Sequence, residues 1–207
     1  MAFYGLAVLA TSLLTVNRPD ILVPENGFIS INPPLLPGRM ASLSTRTTHP
    51  QFMALLQQLL DAIGVDTQLS MPYRFKTKGE MLAQCADQAL LTTYACDTTS
   101  CGRFRTYNRT HCGRCVPCMV RKAAIHRWGL SDTTRYKFSA LSGAGKTSAD
   151  DPMAVACAVL AAEQRGIDSF LGATLTFASD ADRPHYRRVA EQGLAELAVL
   201  LRGDGVL

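Results

Sequence analysis

Residues 50–90, PQFMALLQQLLDAIGVDTQLSMPYRFKTKGEMLAQCADQAL, carry the reading on which the fold turns. Phe52, Leu55, Leu56, Leu59, Leu60 and Ile63 recur at helical spacing, with Pro50 near the start and Gly64 just past the end. That pattern predicts an amphipathic helix with one face turned to a core. A short strand is predicted at residues 68–71, followed by the loop Pro72-Tyr73-Arg74-Phe75. Thr77-x-x-Glu80 then reads as a capping box, opening a second helix with Met81, Leu82, Cys85, Ala86 and Leu90 inward. Helix, strand, loop, helix is the grammar of an α/β domain with a parallel sheet.

The same order holds toward the amino terminus. The apolar run AFYGLAVLATSLL predicts a buried helix, and Ile21-Leu22-Val23 a short strand stopped by Pro24. Glu25-Asn26-Gly27-Phe28 reads as the loop after it. Residues 32–50 are rich in Pro, Gly, Ser and Thr, which predicts a long ordered loop. Ligands of such sheets bind at the carboxyl ends of the strands, where Glu25, Asn26 and residues 73–78 fall. Arg46, Thr48 and His49 in the polar loop are further candidates for a ligand site, although His49 is equally a cap for the helix that follows. Lys78 and Glu80 have an ordinary explanation in their own helix cap. Only two or three strands are recognisable, so the sheet reads as incomplete.

Toward the carboxyl terminus, HCGRCVPCMVR at residues 111–121 places Cys112, Cys115 and Cys118 two residues apart. Tetrahedral zinc takes four soft donors on short spacers, and this motif supplies three. Cys101 is the best candidate for the fourth, with Cys96 and His111 behind it; a redox dithiol or unliganded thiols are the alternatives. Four protein ligands leave no open position, so such a metal is structural. Arg103, Arg105, Arg109, Arg114, Arg121, Lys122 and Arg127 surround the motif with no acidic residue from Cys101 to Arg127. They read either as a solvated basic face or as an anion site for phosphate or nucleic acid, with Phe104 and Tyr107 available for stacking. Ser142 to Thr147 ends like a phosphate-binding loop, but Ala140 stands where that pattern needs glycine. A helix is predicted through Arg121, Ile125 and Trp128. Two proline-led helices, at about residues 152–164 and 184–202, follow in what reads as an accessory tail. The expected division is therefore an α/β portion over residues 1–129 and a helical tail over 130–207.

Composition bounds the function classes. A chain of 207 residues with 47% hydrophobic residues builds a core, and a net charge of +4 permits a phosphate-bearing partner without requiring one. The opening apolar run lacks a basic flank and a cleavage site, and it is shorter than the roughly 20 residues a bilayer span needs. Seven unevenly spaced cysteines suggest no disulfide framework. A reducing cytoplasm without membrane attachment is the expectation.

Taken in order, Pro72-Tyr73-Arg74-Phe75-Lys76-Thr77-Lys78-Gly79-Glu80, Cys101 and CGRCVPCMVRKAAI resemble the carboxyl-terminal half of the 7-cyano-7-deazaguanine synthases, the QueC family. The likeness is nearest to the QueC-like branch of the Qat anti-phage defence system. It runs to about Gly129 and leaves the last third uncovered. The resemblance implies an adenine-nucleotide α-hydrolase fold, a Rossmann-like parallel sheet, with zinc held by Cys101, Cys112, Cys115 and Cys118. It also implies ATP-dependent adenylation of the carboxylate of 7-carboxy-7-deazaguanine, which ammonia converts to an amide and then a nitrile. In the defence branch the activated deazaguanine is expected to modify a partner protein. Lys78 and Glu80 match the family's Lys-x-Glu at a helix start, and residues 46–49 occupy the neighbourhood of its substrate loop. The sequence departs from the family in lacking a Ser-Gly-Gly-x-Asp-Ser pyrophosphatase loop and in a longer spacer between Cys101 and Cys112. The expectation is a carboxyl-terminal portion or truncated homologue without ATP chemistry of its own. A zinc-stabilised module binding nucleic acid or protein is the alternative.

Overall fold

The computed structural model describes residues 2–36, 47–143 and 151–207. Helix α1 (Ala2–Thr11) leads to strand β1 (Asp20–Leu22), the short helix α2 (Gly27–Ser30), helix α3 (Pro50–Ala62) and strand β2 (Gln68–Ser70). Helices α4 (Lys78–Ala83), α5 (Gln88–Tyr94) and α6 (Val116–Trp128) follow, then α7 (Asp151–Arg165), α8 (Ile167–Leu171) and α9 (Arg183–Gly203). The predicted α/β class holds, with a carboxyl-terminal region that is helical.

The two strands pair in parallel, Asp20 opposite Gln68 and Leu22 opposite Ser70. Helix α3 fixes their register from the side: the Gln57 carboxamide accepts from Leu69 N at 2.7 Å and donates to the Thr67 carbonyl at 2.9 Å. Gly27 N–H donates to the Tyr73 and Lys76 carbonyls, which ties the turn after β1 to the loop after β2.

Helix α6 lies in the core, with Val116, Met119, Val120 and Ala123 packed among Phe28, Ile31 and Leu35. Val155 and Val159 of α7 and Val189, Leu194, Leu197 and Leu201 of α9 complete the same cluster. Each such fully buried aliphatic side chain contributes about 1.5–3 kcal/mol. Residues on both sides of position 129 thus share one core. The contact between α2 and α9 depends on Gly193, where a Cβ would enter the Phe28 ring.

Three local expectations change. Helix α1 buries none of its side chains, and Leu55 and Leu59 of α3 and Ile63 just past its end are exposed, because among the described residues no layer covers that side. The helix expected after the capping box divides into α4 and α5, since Asp87 caps a new helix by accepting from Leu90 N. Its inward residues also differ: Gly79 and Glu80 are buried, whereas Ala86 and Leu90 are exposed. Helix α2 forms where a loop was expected, because the Asn26 side chain caps it by accepting from Ile29 N.

Candidate metal centre and substrate site

Cys101, Cys112, Cys115 and Cys118 are buried, and their four sulfurs lie within 4.8 Å of one another. Cys112 and Cys118 are 3.9 Å apart at sulfur, as are Cys101 and Cys115. Sulfurs at the corners of a tetrahedron around a metal at roughly 2.3 Å stand about 3.8 Å apart, so the cluster has the size of a four-thiolate metal site.

The chain builds this cage from a turn and a helix start. Gly113 adopts φ +85° with the Phe138 carbonyl against its Cα, a place no Cβ fits. Cys115 occupies the N-cap position of α6 and Cys118 its first turn, where the helix dipole favours anionic sulfur. Backbone amides point at the sulfurs: Arg103 N and Cys112 N donate to Cys101 Sγ at 3.3 and 3.2 Å, and Cys115 N donates to Cys112 Sγ at 3.2 Å. Hydrogen bonds from Cys115 and Cys118 hold the Cys112 thiol far below the ordinary range, and the same sharing pushes Cys115 up to about 12. The set therefore favours negative charge that, without a cation, only part of it carries. The other two candidates for the fourth ligand lie elsewhere. His111 Nε2 accepts from Ser100 N at 3.3 Å, and Cys96 Sγ sits 3.9 Å from Asp132 Oδ1.

Most of the basic residues turn inward. Arg121 donates to the Ala95 carbonyl and to the hydroxyls of Thr98 and Thr134. Lys122 donates to the Ser139 carbonyl and lies over the Tyr136 ring, Arg114 holds the Leu141 and Gly143 carbonyls, and Arg103 pairs with Asp151. Arg127 pairs with Glu196 at 3.3 Å. Of the seven named from the sequence, Arg105, Arg109 and Arg127 are exposed, Arg127 while paired with Glu196. Phe104 packs edge-on against His111, and Tyr107 against Phe138. These side chains brace the knuckle, which leaves little of the suspected anion-binding face.

The second candidate site lies after the strands. Asn26 is fully buried and donates to Glu25 Oε1 from both its backbone and its side-chain nitrogen, at 3.0 and 2.7 Å. Lys78 senses the Glu25 carboxylate: burial holds the ammonium below the ordinary lysine range, Glu25 partly offsets that, and Arg121 adds to it. Glu25, Asn26 and Lys78 are thus gathered where β1 and the loop after β2 end. Glu80 faces another way. Its carboxylate completes the capping box by accepting from Thr77 N at 2.8 Å and pairs with Arg188 of α9 at 2.6 Å. Burial raises the Glu80 carboxyl, but the bonds from Arg188 and Thr77 outweigh that and hold it below the usual range. His49 caps α3, accepting from Gln51 N, and packs edge-on against Phe177 at 4.6 Å. It borders a cleft of about 720 Å³ that Leu35, Cys157 and Phe170 also line. Thr48 is half-buried beside it, and Arg46 lies outside the described residues, as do residues 144–147 of the phosphate-loop-like stretch.

Sequence reasoning missed Glu196. Buried on α9, it accepts from Thr77 Oγ1 at 2.6 Å, so one threonine links it to Glu80. Burial raises its carboxyl, against the pull of Thr77 and Arg127. The available signal was an acid placed among Gly193, Leu194 and Leu197 on an otherwise apolar stripe.

No family model matches the chain, and no solved structure matches it. Curated proteins do. The chain is 35% identical over 86 residues to the 7-cyano-7-deazaguanine synthase of Brucella ovis, a stretch covering 42% of this chain and 34% of that protein. It is 30% identical over 132 residues to the 7-cyano-7-deazaguanine synthase of Brucella canis, covering 63% of this chain and 50% of that protein. The chain spans half or less of the length of these relatives. Among the described residues no helix is long and apolar enough to cross a membrane. A buried four-cysteine cluster able to hold a metal ion thus sits in a chain similar, over part of its length, to 7-cyano-7-deazaguanine synthases.

Proposed function

We propose that this chain is the zinc-holding, deazaguanine-binding portion of a QueC-like protein acting on a 7-carboxy-7-deazaguanine-type substrate. The observation that carries the reading is the four-sulfur cage in a chain similar to the deazaguanine synthases. Zinc held there by Cys101, Cys112, Cys115 and Cys118 fixes the start of α6, from which Arg121 and Lys122 brace the neighbouring loops. Glu25 is a carboxylate suited to the N1–H and 2-amino edge of a deazaguanine, Asn26 holds it in place, and the Lys78 ammonium pairs with the substrate carboxylate. ATP supplies the activating adenylyl group. The 207 residues contain no Ser-Gly-Gly-x-Asp-Ser loop for its phosphates. They are accordingly expected to release no pyrophosphate alone. A place in anti-phage defence, with transfer of the activated deazaguanine to a partner protein, follows from the resemblance of the Pro72 to Glu80 and cysteine motifs to the Qat branch.

Calorimetry on purified chain tests the site. Lys78→Met should weaken 7-carboxy-7-deazaguanine at least tenfold while leaving the uncharged 7-cyano compound within twofold. Glu25→Gln should weaken both. Equal effects of Lys78→Met on the two ligands would remove Lys78 from the carboxylate, and binding unaffected by either change would place the ligand elsewhere. The nucleic-acid alternative has less support, because its basic and aromatic residues are largely engaged within the protein.

A further inference from the structure

The segment that leads into Lys78 lies against α9. The Arg74 guanidinium pairs at 3.8 Å with Asp182, the N-cap residue of α9. The Phe75 ring packs on Tyr186 and His185, with centroids 4.9 and 5.0 Å apart, and the Phe75 carbonyl accepts from Arg188. Gly79 lets the helices close, since a Cβ there would come within 2.9 Å of both Glu196 carboxylate oxygens and 2.4 Å of the Arg127 side chain.

Two residues of α9 complete the capping box that starts α4. Within the box, Glu80 N donates to Thr77 Oγ1 at 3.1 Å and Thr77 N donates to Glu80 Oε2 at 2.8 Å. A hydroxyl that accepts from an amide sends its own proton elsewhere. Glu196 receives it at 2.6 Å, which turns the Thr77 lone pairs toward Glu80 N. The buried Glu80 carboxylate needs a cation, and Arg188 supplies one at 2.6 Å from Oε1. Lys78 is the first residue of α4, between the two halves of the box. Burial is the largest influence on its ammonium, followed by the charges of Glu25 and Arg121. Where that ammonium sits depends on the backbone of residues 77–79, and α9 holds that backbone.

We infer that α9 is a positioning element of the substrate site, with Arg188 and Glu196 holding the first turn of α4 so that the Lys78 ammonium stays beside Glu25. The inference rests on the reading that Lys78 pairs with the carboxylate of a carboxy-deazaguanine. Arg188 and Glu196 act through Lys78 and are not themselves ligand-binding residues. The preference for a carboxylated ligand then comes in part from a helix that the sequence placed in an accessory tail.

The test compares Arg188→Gln and Glu196→Leu with Leu201→Ala, which removes core packing near the far end of α9 and controls for loss of stability alone. The first readout needs no ligand: the lysines of purified, folded chain are ¹³C-dimethylated, and the Lys78 signal, assigned by its loss in Lys78→Arg, is titrated by NMR. Loosening α4 lets water reach the ammonium, so the Lys78 titration should rise toward the ordinary lysine range by about half a pH unit or more in both variants and stay in place in Leu201→Ala. The two substitutions remove charges of opposite sign, so a rise in both reports solvation and not a change of field. Glu196→Leu alone suffices should Arg188→Gln fail to fold, because losing a nearby anion by itself lowers a lysine. The second readout is calorimetry. The ratio of affinities for the 7-carboxy and 7-cyano compounds should fall about fivefold or more in both variants, and Arg188→Gln should change it no further once Lys78→Met is present. An unmoved Lys78 titration, or a ratio that falls equally in Leu201→Ala, overturns the proposal. A wild-type chain that binds neither compound while the Lys78 titration moves as stated upholds the role of α9 and refutes the deazaguanine reading alone.

Discussion

Removing the metal should unfold the knuckle and weaken the whole domain. At the observed 3.9 Å between sulfurs, two thiolates repel by about 4 kcal/mol at an effective dielectric of 20. Six such pairs in a four-cysteine cage make a fully ionised, metal-free set untenable, so the apo chain takes up protons or opens. Structural zinc in small domains binds with an apparent 10–16 kcal/mol, comparable to the roughly 5–15 kcal/mol of net stability of a whole domain. The affected elements are central: Cys115 and Cys118 start α6, whose Val116, Met119 and Val120 lie in the core. Because the bound ligands are thiolates, the stabilisation is present at neutral pH and lost as pH falls and protons displace the metal. The assay is amide hydrogen exchange with urea denaturation, before and after chelation at pH 7.5, with metal release followed down to pH 4. Protection at residues 112–125 should collapse, and the urea midpoint should fall until no cooperative transition is left. An apo chain with unchanged protection and midpoint would refute the reasoning.

Thr77→Val should cost about 2–3 kcal/mol, combining a lost helix cap with a buried Glu196 deprived of its hydroxyl donor. The Glu196 carboxyl is already raised, so its burden is absent below the ordinary glutamate range and grows as pH rises through the raised value; the variant's deficit in urea melts should therefore be larger at pH 7.5 than at pH 4.5. Gly113→Ala should abolish one-to-one metal binding, read by elemental analysis, because the new methyl meets the Phe138 carbonyl at a left-handed backbone position. Arg121→Leu should lower the yield of folded protein without creating or removing nucleic-acid affinity, since its guanidinium is engaged with Ala95, Thr98 and Thr134. A salt-dependent loss of RNA binding in that variant would restore the basic-face reading.

What was legible in the sequence was local. The 3.6-residue period of α3, the Thr77 to Glu80 capping box and the cysteine spacing each act within a few residues, and each appears in the structure where the pattern put it. Contacts across the chain were not legible. Glu196 reaches Thr77 over 119 positions and Arg188 reaches Glu80 over 108, so nothing near α4 announces that α9 holds its start. The basic run around the cysteines looked like a surface because charge alone carries no direction. The carbonyls and hydroxyls that receive Arg114, Arg121 and Lys122 come from loops at residues 95–98 and 134–143, which no pattern marks. Helix α1 was expected to be buried for the opposite reason: apolarity reports what a helix would cover, not whether its cover is present.

The most direct test of the account is a competition titration of metal-loaded chain with 7-carboxy-7-deazaguanine against 7-deazaguanine, which lacks the carboxylate. One site per chain with at least a tenfold preference for the carboxylated compound, a difference of about 1.4 kcal/mol or more, is the predicted result. Equal affinity for the two would contradict recognition of the carboxylate by Lys78, and no binding of either to folded, metal-loaded protein would contradict the assignment of this chain to deazaguanine chemistry.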